Sequence, residues 1–301
     1  MPDNLSVNSP QASTRSDGQY RRYQARRHTR RIALSHYENF TVVSLALPRH
    51  LRQDFYNIYA FCRHADDLAD EIDDKNESLR QLDSLRREVG RMYQQQAQQP
   101  ILVALADTVQ KFDIPADPFL ALIDAFEQDQ RVGRYDTYEQ LLDYCRRSAN
   151  PVGHLVLYLC GYRDARRQQL ADLTCTALQL TNFWQDVVPD LGRGRIYLPL
   201  EDMARFGVNE EDLIERRVSE NFLQLMKFEV DRAEEMFVRG EALLPLVEGR
   251  LWTDVALYGR GGRAILDRIR GAGYDVLSQR PTLNKWAKLG LFAEALWQVM
   301  V

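Results

Sequence analysis

A stretch of about 18 consecutive apolar residues, the minimum for a helix that crosses a bilayer, is missing from this 301-residue chain. Missing too is an apolar run near residue 1 of the kind that addresses a chain for export, so the expectation is a cytoplasmic protein. Cysteine is scarce: the four, Cys62, Cys145, Cys160 and Cys175, never fall in a CxxC pair. That spacing points to small buried hydrophobes in a reducing compartment. Basic excess is lacking as well. The formal net charge is −4, which argues against a nucleic-acid partner held by phosphate contacts. No series of alternating strands occurs and no GxGxxG follows a strand, so no NAD(P)H site is expected. No Gly/Ser-rich linker or internal repeat divides the chain, and its 45% hydrophobic content can fill one core.

What the chain does have is helical periodicity. Leu51, Phe55, Ile58, Cys62, Ala65, Ala69 and Ile72 recur at spacings of four and three, as do Leu170, Leu173, Ala177, Leu180, Trp184 and Val187. Residues 101–126, 138–160, 222–247 and 254–278 also read as helices, with Pro100, Pro115, Pro118, Pro151, Pro199 and Pro281 bounding or bending them. The fold class is all-α, a single helical bundle over residues 31–301. Residues 1–30 read as a disordered, Arg-rich tail. Arg15, Arg21, Arg22, Arg26, Arg27, Arg30 and Arg31 suit either an anionic surface or a solvated run into the first helix.

Beside the apolar stripe near residue 60, Tyr59, Arg63, Asp66 and Asp70 follow one another at four, three and four residues, on one helix face. Like charges one turn apart repel, unless a divalent cation sits between them. A second set, Asn182, Asp186 and Asp190, repeats the four-residue spacing about 115 residues on. Two such faces opposed across a bundle would hold a diphosphate through Mg²⁺, two or three ions in all, and make it a leaving group. The resulting carbocation needs aromatic walls, for which Phe40, Phe55, Phe61, Phe126, Tyr158 and Phe183 are candidates. His64 lies off the acidic stripe, and Gly261 and Gly262 read as close helix packing.

The segments YAFCRHADDLADE and LQLTNFWQDVVPDLGRGRIYLP resemble the squalene and phytoene synthase family, as do HYENF at 36–40, YCRRSANPVG at 144–153 and GYDVL at 273–277. The resemblance implies an isoprenoid-synthase helical bundle with a central apolar cavity and a prenyl diphosphate substrate. It implies that Asp66, Asp70, Asn182 and Asp186 are Mg²⁺ ligands with Asp190 completing the second motif. It also implies that His36, Asn39, Tyr59, Arg63, Tyr144, Gln185 and Arg195 contact substrate. Within the LGRGR loop Arg195 is the better placed of two arginines, and Pro189 should end or kink the helix carrying the second motif.

Members that condense two prenyl diphosphates carry an arginine where this chain has Gln185, and a C-terminal arginine falls at Gln279 with Arg280 beside it. NFWQDV and YCRRSANPVG are similar to one bacterial branch, the hydroxysqualene synthases of hopanoid synthesis. That likeness implies ionisation of presqualene diphosphate and capture of the cation by water, without NADPH. The alternatives are head-to-head condensation of two farnesyl diphosphates, and a non-catalytic assembly factor on the same fold. The reading admits peripheral contact with the inner face of the membrane and channelling from the enzyme that makes presqualene diphosphate.

Overall fold

Helix starts follow from local chemistry in most cases. Asp74, Thr137, Asp164 and Ser219 each turn a side-chain oxygen back to a backbone N–H two or three residues on, satisfying donors that a helix leaves open. Pro100, Pro118 and Pro151 occupy first-turn positions where no N–H is needed. The computed structural model describes residues 10–35 and 49–282. In it α1 is Pro10–Ser35, α2 Arg52–Asp70, α3 Lys75–Tyr93, α4 Pro100–Phe112, α5 Asp117–Asp129, α6 Tyr138–Ser148 and α7 Asn150–Leu159. There follow α8 Ala165–Gln185, α9 Val187–Gly192, α10 Leu200–Phe206, α11 Glu210–Ile214, α12 Glu220–Gly240 and α13 Gly249–Gly271. No strand occurs among the described residues, and none of their helices is long and apolar enough to cross a membrane.

The chain forms one all-α unit with α8 at its centre, packed on α7, α12 and α13. Because neighbours surround it, α8 buries Ala177, Leu180, Phe183 and Trp184 around much of its circumference. A second core joins α2 to α3, α4 and α5 through Phe61, Leu82, Leu102, Leu105 and Phe119. Each such side chain, fully removed from water, contributes roughly 1.5–3 kcal/mol before ordering costs.

Several expectations need correcting. Residues 10–30 do not form a disordered tail: α1 lies on α2 and α4, with Ala25, Thr29 and Ala33 buried at four-residue spacing. Thr29 donates to Asn57 at 2.7 Å, so a segment polar in composition is held by three small inward positions. The stretches 101–126 and 138–160 each divide in two beside the prolines expected to interrupt them, one at Asp113 in a left-handed conformation, the other at Ala149 before Pro151. Helix α3 was not foreseen; its buried residues Ser78, Leu82, Leu85, Val89 and Met92 carry the right period among many charges. Residues 1–9, 36–48 and 283–301, which include His36, Asn39 and Phe40, lie outside the described residues.

Candidate active site

The acidic stripe of α2 ends in an ion-pair cluster. Arg63 reaches Asp66 at 3.0 Å, Asp67 at 2.5 Å and Glu71 at 3.0 Å. Burial and the neighbouring Asp70 push the Asp66 carboxyl above its usual range despite Arg63. The last turn of α2 is pinned where Gln130 donates to the Ala69 carbonyl at 2.8 Å, one residue before Asp70.

The second motif sits where α8 stops. Gln185 is the last residue of α8 and Asp186 the joint with α9. The break comes three residues before Pro189, because the proline cannot donate to the carbonyl of Gln185. Asn182 donates to Asp186 at 2.9 Å. Arg280 grips Asp186 with two nitrogens, one at 3.0 Å. Arg280, the neighbour of Gln279, thus stands at the second motif. Gln185 donates to the backbone oxygen of Pro281 at 2.5 Å. Asp190 is pushed up to about 7 by burial and by Asp186, against the pull of Arg193 and Arg195.

The LGRGR loop brings the two motifs together. Arg193 and Arg195 each place a guanidinium nitrogen 3.2 Å from Asp70, across more than 120 residues of sequence. The loop is fixed from outside: Ile196 donates to the Gly133 carbonyl at 2.8 Å and Arg134 to the Gly194 carbonyl at 2.7 Å. A β-carbon on Gly133 would lie 2.8 Å from the Gly194 oxygen, and Gly194 itself has φ +76°, so both positions call for glycine.

Behind the loop lies a residue that sequence reading missed. Asp129 accepts from Tyr144 at 2.8 Å and from Tyr197 at 3.5 Å. Burial pushes its carboxyl up to about 6, with Arg195 and the two hydroxyls opposing. Tyr144 is buried, so it reaches the acidic cluster through Asp129. The only sequence signal was an acid just beyond the expected end of the 101–126 helix.

Next to Tyr59, Arg63 and Asp66 opens a cavity of about 490 Å³ walled by Phe55, Phe126, Val156, Leu178, Leu251 and Tyr258 among others. That volume lies within the range of small-molecule sites, roughly 300–1,000 Å³. Of the five aromatic candidates among the described residues, Phe55 and Phe126 line it. Phe61 packs edge-on against Phe119 in the core, Phe183 stacks on Tyr197 at 3.8 Å, and the Tyr158 hydroxyl meets Gln168 at 3.1 Å. Cys62 and Cys175 are free thiols in the cavity wall, and burial pushes both up to about 12.

No group of three or more His, Cys, Asp or Glu converges as a ready-made metal cage among the described residues. Hard oxygen donors one turn apart on two helix ends still suit Mg²⁺, which commonly takes one or two carboxylates and completes its shell with phosphate oxygens and water.

Residues 34–287 match the squalene/phytoene synthase family. Over 277 residues the chain is 33% identical to a phytoene synthase of Arthrospira platensis, covering 86% of this chain and 88% of the relative. Its fold is similar to the crystal structure of squalene synthase HpnC from Alicyclobacillus acidocaldarius, with TM-score 0.81 and 45% identity over 84% of this chain and 96% of the other. A dehydrosqualene synthase solved with a ligand superposes with TM-score 0.80 at 27% identity, over 95% and 98% of the two chains.

Proposed function

The chain belongs to the squalene/phytoene synthase family, and from that premise we propose that it is a hydroxysqualene synthase, ionising presqualene diphosphate and capturing the cation with water. The observation that carries this reading is Gln185. At the hinge of the second motif it is neutral and spends its amide on the Pro281 carbonyl. A guanidinium there would be a permanent bidentate phosphate ligand of the kind a two-diphosphate site uses. The 45% identity with the squalene synthase from A. acidocaldarius supports the same reading.

Asp66 and Asp70 on α2, and Asn182, Asp186 and Asp190 around the end of α8, are the proposed Mg²⁺ donors. When bound, the metal offsets the charge of the diphosphate and makes it a good leaving group. Arg63, Arg193, Arg195 and Arg280 pair with Asp66, Asp70 and Asp186 and are the proposed phosphate ligands; Tyr59 borders the cavity beside them. The C–O bond breaks with its electron pair leaving on the diphosphate. The cyclopropylcarbinyl cation rearranges within apolar walls, water adds its oxygen, and one proton is released. No NADPH is consumed. Substrate would come from an enzyme that makes presqualene diphosphate, and an exposed basic face of α1, Arg27, Arg30 and Arg31, is the proposed contact with an anionic membrane.

A second reading, condensation of two farnesyl diphosphates, is favoured by two observations. Curated relatives are named phytoene synthases, and Arg280 supplies at Asp186 a cation that Gln185 does not. Incubation with Mg²⁺ in ¹⁸O-water without NADPH separates them. Label in a C30 alcohol from presqualene diphosphate is the expected result; efficient conversion of farnesyl diphosphate to C30 products would favour condensation instead.

A further inference from the structure

Three charged side chains line the cavity. Arg63 and Asp66 hold each other at 3.0 Å on α2. The third, Asp254, comes from α13, where Leu251, Asp254, Val255 and Tyr258 share the cavity-lining face at three- and four-residue spacings. An acid in that register breaks an otherwise apolar stripe. Its side chain is buried, at 2% exposure, a place to which a carboxylate moves from water only where polar groups receive it. Departures of this kind from local pattern concentrate at functional positions.

The same cavity has a second polar wall at the end of α6. The Ser148 hydroxyl is buried, lines the cavity and has no hydrogen-bond partner among the described residues. A buried hydroxyl left so is disfavoured relative to one that is satisfied, and a water held in the cavity would satisfy it. Asn150, two residues on, is a poorer candidate for holding water, because its oxygen already accepts from Thr176 at 2.9 Å.

We propose that Asp254 and Ser148 seat the water that captures the carbocation, Ser148 orienting it and Asp254 taking its proton. This rests on the reading of the chain as a hydroxysqualene synthase. The step balances: the water oxygen bonds to the cationic carbon, its O–H bond breaks, and the proton passes to the Asp254 carboxylate, giving alcohol and carboxylic acid. The placement keeps the nucleophile on a different helix from the acidic motifs. Water capture then does not depend on the solvent that hydrates the diphosphate.

The test uses the full chain with Mg²⁺ and presqualene diphosphate, comparing wild type with Asp254→Asn, Asp254→Glu and Ser148→Ala. Diphosphate release and C30 products are measured together. The expected result is that the share of released diphosphate accompanied by C30 alcohol falls at least tenfold in Asp254→Asn, with hydrocarbon from proton loss taking its place. Asp254→Glu should restore part of that share, and Ser148→Ala should lower it several-fold. A merely structural role would reduce total turnover with the product ratio intact, and an unchanged ratio in both Asp254→Asn and Ser148→Ala overturns the proposal. Should Asp254→Asn melt below assay temperature, Ser148→Ala, which removes a single oxygen, decides alone. A wild type that releases no diphosphate from presqualene diphosphate overturns the hydroxysqualene reading itself, and with it this one.

Discussion

Arg195 does more at this site than a loop arginine need do. Only 15% of its side chain is exposed, it contacts Asp70, and the charges of Asp129 and Asp70 hold its proton more firmly than usual. Arg193, at 62% exposure, makes the same contact from solvent. Arg195→Ala should therefore lower kcat/KM by roughly 10²-fold, the scale on which loss of one preorganised charge-stabilising donor is felt, whereas Arg193→Ala should cost less. Steady-state kinetics of both variants checks the order. Asp129 offers a pH test. Its folded-state proton is held up to about 6, above the ordinary aspartate range, chiefly by burial. Between roughly pH 4 and 6 the folded chain then binds this proton more than the unfolded chain does, so the contribution to stability falls as pH rises through that window. Asp129→Asn should flatten this slope, as read from urea unfolding at pH 4.5 and 7; an identical slope in the variant would show that Asp129 does not carry it.

At the scale of elements, the contacts of α13 with α8 and α12 turn on one glycine of a pair. A β-carbon on Gly262 would lie 2.2 Å from Phe237 and 2.9 Å from Leu178, while one on Gly261 would meet nothing within 4 Å. Gly262→Ala should destabilise the fold by about 1–3 kcal/mol through overpacking. Gly261→Ala should stabilise it by about 0.5–1 kcal/mol, the usual gain when alanine replaces glycine inside a helix. Denaturant midpoints of the two variants should move in opposite directions, and a common direction would contradict the packing described. Close packing was the sequence reading for both glycines; only the neighbouring helix separates them.

For the molecule as a whole, α1 changes the membrane question. It buries Ala25, Thr29 and Ala33 against α2 and α4, so deleting residues 1–31 would remove part of the fold along with the charge. Charge reversal is the cleaner experiment. Arg22 and Arg26 approach Asp107 at 3.7 and 2.9 Å, whereas Arg27, Arg30 and Arg31 make no ion pair among the described residues and are left out of the mutational background of that contact. Arg27→Glu, Arg30→Glu and Arg31→Glu together should reduce co-sedimentation with vesicles containing phosphatidylserine about tenfold or more, given about 1 kcal/mol per basic residue near such a surface. Equal sedimentation of variant and wild type would remove α1 as the contact.

The all-α class, the two acidic motifs and their helical setting were legible in the sequence because period and spacing are local properties of a helix. So was the break in α8, since a proline four residues past Gln185 removes a specific hydrogen bond. The partners were not legible. That Arg280 and not Gln279 meets Asp186, that Asp129 links Tyr144 to the acidic cluster, and that Ser148 and Asp254 border one cavity all depend on how separate helices pack. Those contacts join residues 15 to 106 positions apart, a range at which spacing along one helix carries no information.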